Sequence, residues 1–286
     1  MFETVLVPVD GSDTAERAVA VGSAFADRYG APLELVHVQP DRSRIPGSLG
    51  AEARERRGRE VLADATDRAS LAEEAVTTRL ETGRPTHRIA ERAAECDSSL
   101  VVMGQHGRSG VRERLLGTVT DRVLRRTDSP VVTVPGTARD QPVGRYDDIL
   151  LTTDGSDHAE RAAPYGASVA RRFGATLHLL SVVDVQAEAG VFDAGGVTES
   201  FIDNLERDAR GAVDRLAERI DDTDLSIDRT VTRGRPHETI RSYTTEQDVD
   251  LVVMASEGES DLASQSLGSV TDRVLRTVDV PVLVVQ

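Results

Sequence analysis

Met103-Gly104-Gln105-His106-Gly107-Arg108-Ser109-Gly110, followed seven residues later by Gly117-Thr118-Val119-Thr120, is the stretch whose reading decides the fold. An apolar run, Leu100 to Met103, leads into it and reads as a buried strand. Beyond it lies a helical pattern with Leu116, Val119, Val123 and Leu124 on one face. A glycine-rich turn between a parallel strand and a helix points backbone N–H groups into one concavity, which suits phosphate. Gly104, Gly107 and Gly110 are expected to allow positive φ and to let an anion approach without a Cβ in the way. Gly117 and Thr118 would bring a small residue and a hydroxyl to the same place. The rival reading is a tight strand-to-helix connection that merely needs glycine.

Working outward, the chain alternates strands and helices. Thr4 to Val9 is the first strand, and Asp10-Gly11-Ser12 turns. Asp13-x-x-Glu16 supplies a capping pattern for a helix that ends at Gly30. Leu33 to Val38 is the second strand, and a charged helix follows from about Ala51 to Glu73. Val76 to Leu80 is the third strand, and Gly83-Arg84-Pro85 turns into a helix reaching Glu95. The glycine loop and its helix come next, and Pro130 to Val134 closes the unit. Such alternation predicts a parallel sheet with helices on both faces.

The pattern then repeats. Asp154-Gly155-Ser156-Asp157 stands 144 residues after Asp10-Gly11-Ser12-Asp13, and Gly234-Arg235-Pro236 stands 151 after Gly83-Arg84-Pro85. Val270 to Arg276 repeats Val119 to Arg125 at the same 151. The seven extra residues place an insertion near Gly190 to Gly196. Two tandem domains are expected, 1–136 and 147–286, joined by a linker over 137–146.

Composition narrows the function. The chain has 286 residues and a formal net charge of −15, and all 34 basic residues are arginine. An acidic, lysine-free surface reads as adaptation to a salty cytoplasm, because near 1 M salt the Debye length falls to about 3 Å and self-repulsion shrinks. A lysine-poor genome is the plainer reading. The acidity argues against nucleic-acid and anionic-membrane partners. Without lysine there is neither a Walker A loop nor a Schiff base. Cys96 is the only cysteine, which excludes an internal disulfide and fits a reducing compartment. The start reads directly into a strand and no long apolar run occurs, so a cytoplasmic location is expected.

The spacing G-x2-G-x9-G-[S/T] after a strand resembles the nucleotide-binding loop of the universal stress protein family, and each repeat resembles a domain of that family from end to end. The resemblance implies an α/β fold of two Rossmann-like domains, each a five-stranded parallel sheet flanked by helices on both faces. It implies edge pairing through the last strands, Pro130 to Val134 and Pro281 to Val285, the two edges meeting antiparallel, which would pack the repeats as an intrachain pseudo-dimer. Further association into a homodimer, and an unidentified protein partner, stay open.

The ligand implied is ATP, with Mg²⁺ as a companion at most; no side-chain metal site is expected. Pro8 and Val38 match positions that line the adenine. Asp10 is placed to accept from a ribose hydroxyl or the adenine amine, with helix capping as its rival role. Gly104, Gly107, Arg108, Ser109 and Gly110 would hold phosphates, completed by Gly117, Thr118, Val119 and Thr120. His106 reads as a polar loop residue, and no catalytic residue is assigned. His37 and His178 show no metal-ligand spacing. Asp121 with Arg122, and Asp272 with Arg273, recur in both repeats and read as an exposed helical ion pair or an interface contact rather than as chemistry.

The second repeat departs from the pattern. Its site would comprise Asp154, Val182, Gly258, Gly268 and Ser269, with Ala255 in place of the first glycine and Thr152 in place of Pro8. Glu257, Glu259 and Asp261 would surround the phosphates. At about 5 Å and an effective dielectric near 20, each acid–phosphate contact costs on the order of 3 kcal/mol per unit charge. The second site is therefore expected to be weak or vestigial. The favoured reading is an ATP-binding stress-response module, at most a slow ATP hydrolase. The alternative is a dimerisation or protein-interaction module of the same fold that binds no nucleotide.

Overall fold

The computed structural model of the chain describes residues 1–41, 50–96, 99–107, 116–136, 144–189, 198–220, 224–258 and 267–286. It divides into two compact units, Met1–Arg145 and Tyr146–Val285, each with its own core.

In the first unit β1 (Thr4–Pro8), β2 (Leu33–Gln39), β3 (Val76–Thr82), β4 (Ser99–Gly104) and β5 (Val131–Val134) lie in the order β3-β2-β1-β4-β5. Every pairing is parallel. Val5, Leu6 and Val7 of β1 and Leu100, Val101 and Val102 of β4 have no exposed surface, as the continuous apolar runs of a sheet covered on both faces require. The chain leaves β1 toward β2 and returns beside β1 as β4. The order therefore reverses between β1 and β4, where open α/β sheets leave a crevice at the strands' carboxyl ends.

The helices of this unit are α1 (Asp13–Tyr29), α2 (Ala51–Arg68), α3 (Pro85–Glu95) and α4 (Thr118–Leu124). α1 starts one residue earlier than the Asp13-x-x-Glu16 pattern suggests. Ser12 is its N-cap, extended at φ −93° and accepting from the Ala15 N–H at 3.3 Å. Asp13 and Glu16 sit in the first turn, where negative charge complements the helix dipole. Gly30 ends the helix in the left-handed conformation, φ 64°. α2 stops at Arg68 rather than near Glu73. Its buried residues Gly58, Leu62 and Ala65 end there, and none of residues 69–75 is buried, so no packed face extends the helix.

α4 differs more. Leu116, Val123 and Leu124 are buried, but Val119 is 36% exposed and leaves the core face, which Thr120 takes instead. Asp121 pairs with Arg125 at 3.1 Å and Asp272 with Arg276 at 2.8 Å. The recurring acids thus use the arginine one turn on, not the adjacent Arg122 or Arg273.

The second unit contains β6 (Asp148–Thr152), β7 (Thr176–Val183), β8 (Ile227–Arg233), β9 (Leu251–Ala255) and β10 (Val282–Val285), in the order β10-β9-β6-β7-β8 and parallel throughout. Its helices are α5 (Asp157–Arg161), α6 (Ala163–Phe173), α7 (Val185–Ala189), α8 (Glu199–Ile220), α9 (Pro236–Glu246) and α10 (Ser269–Thr277). α5 and α6 occupy the place of α1. Pro164, which has no N–H and crowds the preceding turn, accounts for the break. Among the described residues no helix is long and apolar enough to cross a membrane.

Candidate functional site

At the carboxyl ends of β1, β2 and β4 the first unit holds a cavity of about 670 Å³. Pro8 and Asp10 reach it from the end of β1, Val38 from β2, and Gly104 and Gly107 from β4 and its loop. Gly117, Thr118, Val119 and Thr120 complete the wall at the start of α4. The structure thus gathers these predicted residues at one place. Arg108, Ser109 and Gly110 lie outside the described residues.

The glycines act through space, not through backbone conformation. Positive φ occurs at Gly11 and Gly30, among others, but at none of Gly104, Gly107 and Gly117. A Cβ on Gly104 would lie 2.8 Å from the Thr14 Oγ1 and 2.9 Å from its backbone carbon. One on Gly107 would lie 2.6 Å from the Asp10 Oδ2, and one on Gly117 would lie 2.8 Å from the Gln105 carbonyl oxygen. The expected use of positive φ is corrected for Gly104 and Gly107, while Gly110 lies outside the described residues. The loop is pressed against α1 and the β1 turn so tightly that side chains do not fit. Ala255, which takes the place of Gly104, likewise sits in β9 without positive φ.

Hydrogen bonds fix this packing. The Thr14 Oγ1 donates to the His106 carbonyl, and the Gly117 N–H donates to the Gln105 carbonyl at 2.7 Å. The buried Thr120 hydroxyl donates to the Gly104 carbonyl at 2.9 Å, so its proton braces the loop. Asp10 has one oxygen in the frame and one toward the loop. Its Oδ1 accepts from the Ser12 N–H at 3.1 Å and the Ser12 hydroxyl at 2.6 Å, while its Oδ2 faces Gly107. Asp10 therefore holds the capping serine in place and does not cap α1 itself.

The sequence reading missed one wall entirely. Arg54, Arg57, Gly58 and Val61 of α2 line the cavity at the spacing i, i+3, i+4, i+7. A Cβ on Gly58 would lie 2.6 Å from the Leu80 Cδ1 and 3.1 Å from the His37 Cδ2. The Gln39 Nε2 donates to the Arg54 carbonyl at 2.5 Å. His37, whose Nδ1 lies 2.7 Å from the Val9 carbonyl oxygen, also faces the cavity. A glycine in the middle of a helix costs roughly 0.5–1 kcal/mol against alanine. Its presence in α2 was the available signal that something packs closely there.

The second unit keeps the frame and loses the room. Asp154, Val182, Gly258, Gly268 and Ser269 line a cavity of about 120 Å³. The Gly268 N–H donates to the Ser256 carbonyl at 2.7 Å, and the Thr271 hydroxyl donates to the Ala255 carbonyl at 2.9 Å. Glu257, in the place of His106, faces this cavity, whereas Glu259 and Asp261 lie outside the described residues. No α8 residue among those described reaches it. Nor, among the described residues, does any group of three His, Cys, Asp or Glu side chains gather as a metal site would require.

Two parallel α/β units, each with a glycine-lined loop at the point where strand order reverses, define a tandem Rossmann-like α/β protein. The chain belongs to the universal stress protein family, whose profile matches residues 1–135 and 145–286. It is 29% identical over 296 residues to universal stress protein Rv2005c of Mycobacterium tuberculosis, covering 98% of this chain and 96% of that protein. It is 30% identical over 141 residues to universal stress protein MJ0531 of Methanocaldococcus jannaschii, covering 49% of this chain and 82% of that one. A crystal structure of a universal stress protein from Archaeoglobus fulgidus superposes with a TM-score of 0.70 at 21% identity, covering 99% of this chain and 98% of that one. That likeness bears on the fold.

Proposed function

We propose that the chain is a cytoplasmic ATP-binding universal stress protein whose first domain holds one adenine nucleotide and whose second is mainly a structural partner. One observation carries this reading: the 670 Å³ cavity gathers Pro8, Asp10, Val38 and the Gly104–Gly107 and Gly117–Thr120 segments at the switch in strand order. Its size falls within the roughly 300–1,000 Å³ usual for small-molecule sites, and the second cavity at 120 Å³ falls below it. Pro8, Val38 and the partly exposed Val119 supply apolar surface for a base. The glycine-flanked turn lets phosphates approach the backbone, with Arg108, Ser109 and Gly110 assigned to the same loop.

Binding rather than turnover is the proposed activity. Phosphoryl transfer rests on positioning and charge neutralisation, and the described part of the loop offers a cradle without a base held against a nucleophile. Slow hydrolysis is compatible with it. The acidic, lysine-free surface is proposed as an adaptation to high salt.

Equilibrium dialysis with ATP, on the wild type and Gly107→Glu, tests the site. The expected result is about one ATP per wild-type chain and a large loss in the variant. Equal retention would remove the site assignment. Absence of retention by the wild type would favour an interaction module of the same fold.

A further inference from the structure

Resting on the nucleotide reading, we infer that Arg57, on the helical wall of the cavity, selects for the phosphorylated form of the ligand and separates nucleotides from nucleosides. The charged groups lining the first cavity among the described residues are Arg54, Arg57 and Asp10, two cations against one carboxylate. Among the described residues that is a net positive lining, on a chain whose formal charge is −15. The second cavity is lined by Asp154 and Glu257 with no arginine among the described residues. The residue 151 positions after Arg57, the offset that relates the two repeats in this region, is Asp208. The sign of the charge thus follows the cavity large enough for a nucleotide.

Arg57 is singled out by position together with pairing. Two other arginines of α2 are paired, Arg59 with Glu55 at 2.7 Å and Arg68 with Glu16 at 2.9 Å. Arg56, like Arg57, has no ion pair among the described residues, but of the two only Arg57 lines the cavity. It is not carried on a loose arm. Gly58, next to it, seats α2 against Leu80 and His37, and the Gln39 side chain ties the Arg54 carbonyl to β2. A fixed helix therefore presents an exposed guanidinium, without an ion pair among the described residues, to the cavity that it lines. Guanidinium donors bind phosphate oxygens in pairs, with charge-assisted hydrogen bonds. In a chain without lysine, this wall supplies the positive charge that a phosphate-binding lysine supplies elsewhere.

The test compares wild type, Arg57→Gln and Arg56→Gln by equilibrium dialysis with ATP and with adenosine at low ionic strength. Arg56 is exposed, lies on the same helix and does not line the cavity. The two variants therefore carry the same net charge, and circular dichroism checks that both fold. A guanidinium–phosphate contact at an exposed rim corresponds to a loss of roughly tenfold. The expected result is ATP affinity lowered about tenfold in Arg57→Gln and unchanged in Arg56→Gln, with adenosine affinity equal in all three. Unchanged ATP affinity in Arg57→Gln overturns the inference and leaves the nucleotide reading intact. Equal losses in both variants overturn it in favour of a general field effect, and a parallel loss of adenosine overturns it in favour of packing. A wild type that retains no ATP removes the nucleotide reading and this inference with it.

Discussion

Gly107→Ala tests whether the glycine loop is shaped by crowding. The added Cβ would lie 2.6 Å from the Asp10 Oδ2, with the next nearest atom, the Asp10 Cγ, at 3.7 Å. A single carboxylate oxygen is therefore what must yield. To yield, Asp10 rotates away from the Ser12 N–H at 3.1 Å and the Ser12 hydroxyl at 2.6 Å. Hydrogen bonds to charged groups contribute about 1.5–3 kcal/mol, and partial exposure here reduces the figure to about 1–2 kcal/mol for the pair. Asp10→Ala loses the same bonds directly and should cost about the same. In the double variant the obstructing carboxylate is gone, so the alanine at 107 is accommodated. The expected outcome is a double variant destabilised by about 1–2 kcal/mol, not 2–4, a coupling of about 1–2 kcal/mol. Urea unfolding of the four proteins, with unchanged slopes, measures it. Additive losses would refute the crowding argument and return Gly107 to a conformational role.

Three further outcomes follow from other parts of the molecule. Glu34, 6% exposed, accepts from the Arg92 Nε and Nη2 at 2.8 and 2.7 Å and from the Arg79 Nε at 3.0 Å. Burial pushes its carboxyl up, but the hydrogen bonds and charge of Arg92, with Arg79, hold it below its ordinary 4.5. A depressed carboxyl stabilises the fold above its unfolded value and loses that contribution as the pH falls. Glu34→Gln should therefore cost about 1–3 kcal/mol at neutral pH, and the gap to wild type should close below about pH 4.5. Thermal unfolding in KCl should show the midpoint rising toward molar salt as screening shortens to about 3 Å; a flat profile would count against salt adaptation. Thr120→Val should weaken the loop by about 1 kcal/mol through loss of the bond to the Gly104 carbonyl, and chemical unfolding of that variant measures it.

The legible parts of the chain were those fixed by local rules. The buried strands announce themselves as apolar runs, Gly30 as a left-handed helix end, and Pro85 and Pro236 as first-turn residues. The candidate site was legible where glycine spacing marked it. Of the two reasons for those glycines only the missing Cβ holds at Gly104 and Gly107, because a glycine in a sequence signals equally a positive φ or a missing Cβ, and only the neighbours decide. Thr14, Asp10 and the Gln105 carbonyl are those neighbours. The α2 wall was not legible, because a mostly polar helix gives no register from its own pattern. Its orientation depends on how Gly58 meets Leu80 and His37, residues 21 to 22 positions away in sequence. Val119 misled for a related reason. Its spacing fits a core stripe, but with the helix beginning at Thr118, Thr120 faces inward and Val119 faces the cavity.

The two repeats separate frame from lining. Gly117 and Gly268 each donate at 2.7 Å, Thr120 and Thr271 each donate at 2.9 Å, and a Cβ added to Gly107 or Gly258 would lie 2.6 or 2.5 Å from the Oδ2 of Asp10 or Asp154. The frame is thus preserved while the cavity shrinks from about 670 to about 120 Å³. Ala255 stands for Gly104 and Leu180 for Val36, each adding bulk, and Glu257 stands for His106, adding an acid. Replacing Glu257 by histidine relieves a repulsion on the order of 3 kcal/mol per phosphate charge at about 5 Å. It does not restore the volume, which stays well below the roughly 300 Å³ of the smallest usual ligand sites. Glu257→His should therefore leave the stoichiometry at about one ATP per chain, and titration calorimetry at saturating ATP reads it. A second equivalent bound by that single variant would show that charge alone, and not crowding, closed the second site.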